Sequence, residues 1–169
     1  KIGRTQGWTY DYYSNGNIQM KGYYQNNILN GITFYYYPNG ACHAVGCMVK
    51  GDRIGKWQYF YKSRTLQSEI QYDHGHPSKM LAFFDSTGTQ LVFNGNGMIR
   101  EYDETENLIH EGSYKNYFKD GIWNGYYPDG SPFYREVYKD GDFVKGESFS
   151  SDSTRHKYER PIEYPEPIN

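Results

Sequence analysis

The sequence predicts an all-β protein: an elongated single-layer antiparallel β-meander of about six hairpin repeats. Three observations lead to this prediction. Turn-forming residues recur at a fixed interval, the segments between them are short and rich in aromatic and β-branched residues, and a helical apolar period is nowhere convincing. Because open sheets of this many strands rarely stay flat, we expect the sheet to be twisted or curled.

The first series of turns has the form Tyr-x-x-Gly and repeats every 24 residues. Its fourth position falls at Gly16, Gly40, Arg64 and Gly88, and then, after a less regular repeat with Asn107 as its predicted turn residue, at Gly130. In the second copy, Pro38 and Gly40 are typical of a type I turn closed by a left-handed glycine. This turn pairs Tyr37 with Ala41 and Tyr36 with Cys42.

The second series of turns is two residues long and has the same period. Its members are Asn26-Asn27, Lys50-Gly51 and His74-Gly75, followed at irregular distances by Asn94-Gly95 and Asp140-Gly141. Each repeat therefore holds two turns and the two strands between them.

Strict alternation along the strands assigns the aromatic residues to two faces. One position is aromatic in all six repeats, at Tyr12, Tyr36, Phe60, Phe84, Tyr102 and Tyr126. We interpret this ladder as the core of the sheet. Alternation assigns further residues of the first three repeats to the same face, among them Trp8, Tyr10, Met20, Gly22, Ile32, Phe34, Ala44, Gly46 and Ile70.

The opposite face carries a second aromatic set among polar residues such as Thr9, Asp11 and Lys21. Its members are Tyr13, Tyr35, Tyr37, Trp57, Tyr59, Tyr61, Trp123 and Tyr127. Tyr and Trp dominate binding hot spots because they offer large rigid contact area and a polar tip. These eight residues are the predicted partner-binding surface. The alternative is that curling buries both faces in part, or that the tyrosine rows stack on one another.

Composition and charge narrow the classes of partner. Aromatic residues make up 19% of the chain although the mean hydropathy is −0.92, and the net charge of −2 provides no general attraction to phosphate backbones or anionic bilayers. Nucleic acid is therefore not an expected partner. The longest apolar runs are far below the roughly 20 residues that a membrane helix needs. Cys42 and Cys47 are expected on opposite faces, which disfavours a disulfide between them.

The residues predict no enzyme, no cofactor and no metal site. The best candidate ligand cluster, Asp73-His74-Gly75-His76, falls on a predicted turn and is not joined by a further ligand pair at a recognisable spacing. Asn94-Gly95-Asn96-Gly97 is not followed by the helix that a phosphate loop needs. Glu101 and Asp103 share one strand face, as solvated carboxylates commonly do.

The two ends of the chain are predicted separately from the repeats. We expect the repeat array to span residues 1–146, and a Ser- and Pro-rich C-terminal tail without a strand or helix pattern to span residues 147–169. This tail is either a strap across the last strand or disordered. Because the chain begins with Lys1, we expect its authentic N-terminus to lie upstream, which leaves cytoplasmic and exported or lipoprotein locations open.

The third repeat resembles a known family. Gly55-Lys56-Trp57-Gln58-Tyr59-Phe60-Tyr61, followed by Leu66 and Ser68-Glu69, is similar to the MORN repeat, in the variant found in bacterial antitoxins of the YwqK-like family. Weaker copies are Gly7-Trp8, Gly31-Ile32 and Gly121-Ile122-Trp123, so the resemblance covers about residues 7–146.

The resemblance implies an elongated β-meander that binds a protein without catalysing a reaction. By this resemblance the partner is a toxin or effector that the chain neutralises by occlusion. Two alternatives are a membrane-associated or assembly scaffold of the MORN type, and a glycan-binding surface. Membrane lipid is the less favoured partner, because the net charge of −2 comes without a basic stripe.

Overall fold

The structure, a computed structural model, describes residues 4–103, 105–150 and 155–158. This part of the chain contains fourteen strands and no helix. The strands are β1 (Gly7–Tyr12), β2 (Ile18–Gln25), β3 (Ile28–Tyr36), β4 (Cys42–Val49), β5 (Asp52–Phe60), β6 (Leu66–Asp73), β7 (His76–Phe84), β8 (Gln90–Phe93), β9 (Asn96–Tyr102), β10 (Leu108–Lys115), β11 (Phe118–Tyr126), β12 (Pro132–Lys139), β13 (Asp142–Phe149) and β14 (Arg155–Tyr158).

The chain divides into two compact parts, Lys1–Thr89 and Gln90–Asn169, here called the N-terminal half and the C-terminal half. In the N-terminal half, β1 to β7 pair in sequence order, each antiparallel to the next. In the C-terminal half, β8 to β14 do the same. The predicted all-β meander of hairpins is therefore confirmed.

Both predicted series of turns are present. In the first series, the backbone N–H of the first residue donates to the carbonyl of the fifth in all six copies, for example from Tyr37 to Ala41 at 2.8 Å. The fourth residue has positive φ even where it is not glycine, at Arg64 (φ 74°) and Glu106 (φ 66°). Glu106, and not the predicted Asn107, is thus the left-handed residue of the fifth repeat. Glycine adopts this conformation without the steric cost that Arg and Glu incur.

The second series has six members in the described residues, one more than predicted. Both residues of each turn have positive φ, including the pair Asn116 (φ 49°) and Tyr117 (φ 76°), which the sequence did not reveal because a tyrosine rarely adopts this conformation. In five of the six turns, the second residue donates its N–H to a carbonyl that lies earlier in the chain, as from Gly51 to Leu29 at 3.0 Å and from Gly141 to Lys119 at 2.9 Å. Successive hairpins are thereby joined at these turns.

The two faces of the sheet are exchanged relative to the prediction, because a β-bulge follows the first-series turn in the five hairpins whose register is described. Tyr36 pairs with Cys42 as predicted, but Tyr35 pairs with Ala44, so His43 is an extra residue. Equivalent extra residues are Gln19, Gln67, Ile109 and Phe133. Every side chain beyond such a residue lies on the face opposite to the one that strict alternation predicts.

The bulges redistribute the residues that were assigned to the ladder face. Met20, Gly22, Ala44, Gly46 and Ile70 lie across from Asp11, Thr9, Tyr35, Thr33 and Trp57, on what we call the core face. Lys21 moves to the other side, the outer face, where it pairs with Tyr10 and Phe34. Cys42 and Cys47 pair with Tyr36 and Ile32, so both unpaired cysteines lie on the outer face and not on opposite faces.

The prediction that the aromatic ladder forms the core is therefore wrong. All six ladder residues keep some exposure, and Tyr12 (59%) and Tyr102 (52%) are more than half exposed. In the N-terminal half the core is instead a cluster of Ala44, Met48, Trp57 and Tyr72 on the core face. Half-buried Leu29, Tyr35, Tyr59 and Ile70 pack against this cluster.

Near the C-terminus, strand pairing extends past the repeats. β13 runs to Phe149, and β14 pairs with it antiparallel, from Gly146 opposite Tyr158 to Phe149 opposite Arg155. Sequence patterning indicated no strand in this segment. The predicted division at residue 146 stays a prediction, and residues 151–154 and 159–169 of the predicted tail lie outside the described residues.

Candidate functional site

Two of the eight predicted partner-binding residues are core residues. Trp57 is 0% exposed and Trp123 is 3% exposed, so the expectation that they project from the sheet is wrong. Each indole Nε1 donates to a backbone carbonyl ten residues earlier, Trp57 to Cys47 and Trp123 to Ser113, both at 3.2 Å. The two halves of the chain thus bury a tryptophan in the same way.

The four tyrosines that open the first-series turns tie one hairpin to the next. The Tyr13 hydroxyl donates to the carbonyl of Tyr36 at 2.6 Å, and the Tyr37 hydroxyl donates to the carbonyl of Phe60 at 2.9 Å. Tyr61 donates to Phe84 at 2.9 Å and Tyr127 to Phe149 at 3.0 Å. Each acceptor in the N-terminal half is a ladder residue, so the ladder contributes its backbone to this contact.

We expect Tyr13→Phe to lower the free energy of unfolding by about 1 kcal/mol, because it removes one hydroxyl bond and leaves a partly buried carbonyl unsatisfied. Its neighbour Tyr12 provides the matched control. Tyr12→Phe removes the same atom from a side chain that is 59% exposed on the outer face, and its expected cost is near zero. Urea unfolding of both variants measures the difference. Equal midpoints would show that the hydrogen bond from Tyr13 to Tyr36 contributes nothing to stability.

Tyr35 and Tyr59, the remaining two predicted site residues, surround a cation. The Arg53 guanidinium lies 5.9 Å from the Tyr35 ring centroid and 5.0 Å from that of Trp57. Its Nη1 donates to the Tyr59 hydroxyl at 3.2 Å, and the hydroxyls of Tyr59 and Tyr72 are 2.7 Å apart. The aromatic rings and hydroxyls thereby compensate the half-buried charge of Arg53, so Tyr35 and Tyr59 have a role within the fold.

Two first-series turns begin with aspartate instead of tyrosine, and these two side chains form hydrogen bonds within their own turn. Asp103 accepts hydrogen bonds from the backbone N–H groups of Asn107 at 2.9 Å and Thr105 at 2.8 Å. These bonds, with that from the Thr105 hydroxyl, lower the pKa of Asp103 to about 2. Asp85 accepts equivalent bonds from Thr87 and Thr89. An aspartate at this position closes its own turn.

The C-terminal half buries a group of polar side chains beside Trp123. The Lys119 Nζ lies 4.4 Å from the centroid of the Trp123 ring, and burial lowers the pKa of its ammonium while the nearby Glu136 carboxylate opposes that shift. The buried Tyr138 hydroxyl donates to Glu136 Oε2 at 2.9 Å. The Tyr134 hydroxyl lies 3.2 Å from His110 Nδ1, and burial lowers the pKa of that histidine. These contacts satisfy polar groups inside the core.

The exposed aromatic surface of the N-terminal half lies on the outer face, around Lys21. Trp8 (48%), Tyr10 (41%), Tyr12 (59%) and Ile32 (54%) are exposed, and the half-buried Phe34 and Tyr36 rings stack beside them. The Lys21 Nζ is 4.6 Å from the Trp8 ring centroid and 5.9 Å from those of Tyr10 and Phe34. We call these six apolar residues with Lys21 the outer aromatic patch. Sequence reasoning missed it because it assigned this face to the core.

Two further observations concern other classes of site. In the described part of the chain, His, Cys, Asp and Glu side chains nowhere form a group of three that could hold a metal ion, and the His74 Nδ1 of the turn at 74–75 contacts the Asp73 carboxylate at 2.6 Å. A helix long and apolar enough to cross a membrane is not found among the described residues.

Comparison with known families agrees with the geometry of the repeats. The family described as the MORN repeat variant matches this chain at residues 9–26, 95–116 and 119–140. The first match covers the first hairpin, and the other two lie in the C-terminal half. No curated protein matches the chain. MORN repeats are commonly protein- or membrane-binding modules of a non-enzymatic type.

Proposed function

We propose that this chain is a non-enzymatic binding protein that captures a protein partner on the outer aromatic patch. The observation that carries the proposal is the exposure of Trp8, Tyr10, Tyr12 and Ile32 on one face, beside a lysine that contacts three aromatic rings. Soluble proteins rarely expose contiguous large apolar side chains without a binding role. Aromatic residues next to a cation are typical of binding hot spots.

We choose the outer face as the binding surface because the aromatic side chains of the two faces differ in what they contact. On the core face, Trp57 is fully buried and Tyr37 and Tyr61 bind backbone carbonyls of the next hairpin. These side chains have roles within the fold, whereas Trp8 and Ile32 present about half of their surface to solvent. The partner-contacting role of the eight residues named from the sequence stays a prediction. We place the proposed contact on the outer aromatic patch instead.

The finer proposal is that the partner is a toxin or effector, which the chain neutralises by occluding its active surface. It is supported by the resemblance of the third repeat, Gly55 to Tyr61, to the repeats of bacterial antitoxins. An exposed aromatic surface on a sheet face suits occlusion, because aromatic side chains are enriched in protein–protein contacts.

The experiment compares two variants of the full chain as capture reagents in extract of the source cell. Trp8→Ala combined with Ile32→Ser removes two exposed members of the patch, and Val144→Ser changes a residue of the C-terminal half that is 56% exposed. We expect the double variant to lose at least tenfold in affinity for the captured protein, measured by calorimetry with the purified partner, while Val144→Ser binds like the unchanged chain.

Two outcomes would contradict the proposal. Equal affinity of the double variant would remove the patch from the interface. Flotation of the chain with anionic vesicles, in the absence of any protein ligand, would favour the membrane alternative. The toxin proposal is tested separately by co-expression: the unchanged chain should restore growth of cells that produce the partner, and the double variant should not.

A further inference from the structure

Lys21 lies at the centre of the outer aromatic patch, on a strand that is paired on both sides. It belongs to β2, where it pairs with Tyr10 of β1 and with Phe34 of β3. The residue is half-buried, and its Nζ lies 4.6–5.9 Å from the ring centroids of both neighbours and of Trp8. A protein that covers the patch therefore also removes water from this ammonium group.

The described residues place no carboxylate beside Lys21. It is the only Lys, Arg, Asp or Glu on the outer face of β1 to β4, because Asp11 lies on the core face opposite Met20. Salt bridges in the described part of the chain, such as that of Lys56 with Glu69 at 2.9 Å, do not include Lys21. The first 51 residues contain four Lys or Arg and one Asp, a net charge of +3, although the whole chain carries −2.

The C-terminal half balances its charges at the equivalent place. Phe34 and Val45 face each other at 23 and 12 residues before the buried tryptophan of the N-terminal half. Arg100 and Glu111 face each other at the same distances before the tryptophan of the C-terminal half, with Arg100 Nε 3.3 Å from Glu111 Oε2. The repeat thus accommodates a charge pair at this place, whereas the N-terminal half has two apolar side chains there beside an unbalanced cation.

We infer that the partner presents the carboxylate of an Asp or Glu side chain to Lys21, within a surface that is otherwise apolar. An ammonium that loses its water without gaining a counter-charge is costly to bury, and a carboxylate replaces that water with a charge-assisted hydrogen bond. The rings around Lys21 suit apolar side chains around the carboxylate. The inference rests on the proposed function and adds the chemistry of the partner.

A protein carboxylate fits this surface better than an anionic membrane does. Attraction to anionic lipid is the sum of small contributions from several Lys and Arg side chains near the surface. The outer aromatic patch has a single cation, and exposed aromatic and aliphatic side chains surround it. One carboxylate is sufficient to balance one ammonium, and electrostatic complementarity of this kind determines which partner is selected.

A display library of random peptides, selected on the immobilised full chain, tests the inference. We expect the enriched peptides to share an Asp or Glu that is flanked by apolar or aromatic residues. The same selection on Lys21→Glu should enrich Lys or Arg at that place instead, because the charge of the patch is reversed. The Trp8→Ala, Ile32→Ser variant should enrich none of these peptides.

Calorimetry with one enriched peptide measures the contribution of the charge. Lys21→Met should bind this peptide at least tenfold more weakly, and the difference should vanish when the acidic residue of the peptide is replaced by its amide. The affinity of the unchanged chain for the acidic peptide should also fall with rising salt concentration. Lys56→Met is the matched control: it removes an outer-face lysine whose charge Glu69 balances, and it should leave the affinity unchanged.

The outcomes separate this inference from the proposed function. Enriched peptides without an acidic residue, or equal affinity of Lys21→Met, would overturn the inference, and the proposed function would stand if the Trp8→Ala, Ile32→Ser variant still lost binding. Flotation with anionic vesicles that Lys21→Met abolishes would assign the lysine to a lipid headgroup and also overturn the inference. A selection that enriches no peptide, or peptides that bind the double variant equally well, would contradict the patch as a binding surface and the inference with it.

Discussion

Trp57→Ala should lower the free energy of unfolding of the N-terminal half by about 3–5 kcal/mol. The indole is completely buried, donates a hydrogen bond to the Cys47 carbonyl and packs against Tyr72 at a ring centroid distance of 6.2 Å. Its removal leaves a cavity that the sheet cannot close, because the backbone of β5 is hydrogen-bonded to a neighbouring strand on both sides. It also withdraws the ring nearest to the Arg53 guanidinium.

Trp8→Ala is the matched control, since it deletes the same side chain from the outer face. Trp8 is 48% exposed, and we expect its loss to cost about 1 kcal/mol or less. Both variants are measured by urea unfolding, with Trp123→Ala as an independent copy of the experiment in the C-terminal half. Similar costs for Trp57→Ala and Trp8→Ala would contradict the assignment of the core face.

The turns and the pairing beside them were predictable because they depend on local chemistry. Glycine and proline positions determine the turn type, and the turn type determines that Tyr36 pairs with Cys42. The identity of the core face was not predictable by alternation, since one extra residue at His43 transfers Ala44 and Gly46 to the other side. A bulge leaves no clear mark in composition, so the error repeated in all five hairpins whose register is described.

A second signal in the sequence does identify the core face. Gly46 precedes Trp57 by eleven residues, and Gly112 precedes Trp123 by the same interval. In both halves the indole covers the glycine, and a Cβ built there would overlap the ring. A glycine eleven residues before both Trp57 and Trp123 indicates that these two rings lie against backbone and are therefore buried. Tyr117 and β14 had no comparable signal, because a left-handed tyrosine and a short C-terminal strand both depend on tertiary contacts.

The second large effect concerns these glycines. Gly46→Ala should cost about 2–3 kcal/mol, because the added methyl group would overlap the Trp57 ring and the backbone has to move. The φ angle of Gly46 is not positive, so the cost is steric and is not a loss of backbone freedom. Gly22 is the matched control in the preceding repeat. A methyl group there meets the end of the flexible Leu29 side chain, which can rotate away, so Gly22→Ala should cost less than about 1 kcal/mol.

A double-mutant cycle separates the steric explanation from others. In a Trp57→Val background the ring is absent, so Gly46→Ala should become nearly neutral, and the coupling between the two sites should reach about 2 kcal/mol. Urea unfolding of the single and double variants gives the four free energies. Additive costs would show that Gly46 is needed for a reason other than the indole, and the packing of the two core tryptophans against glycine would then have to be rejected as the basis of the core face.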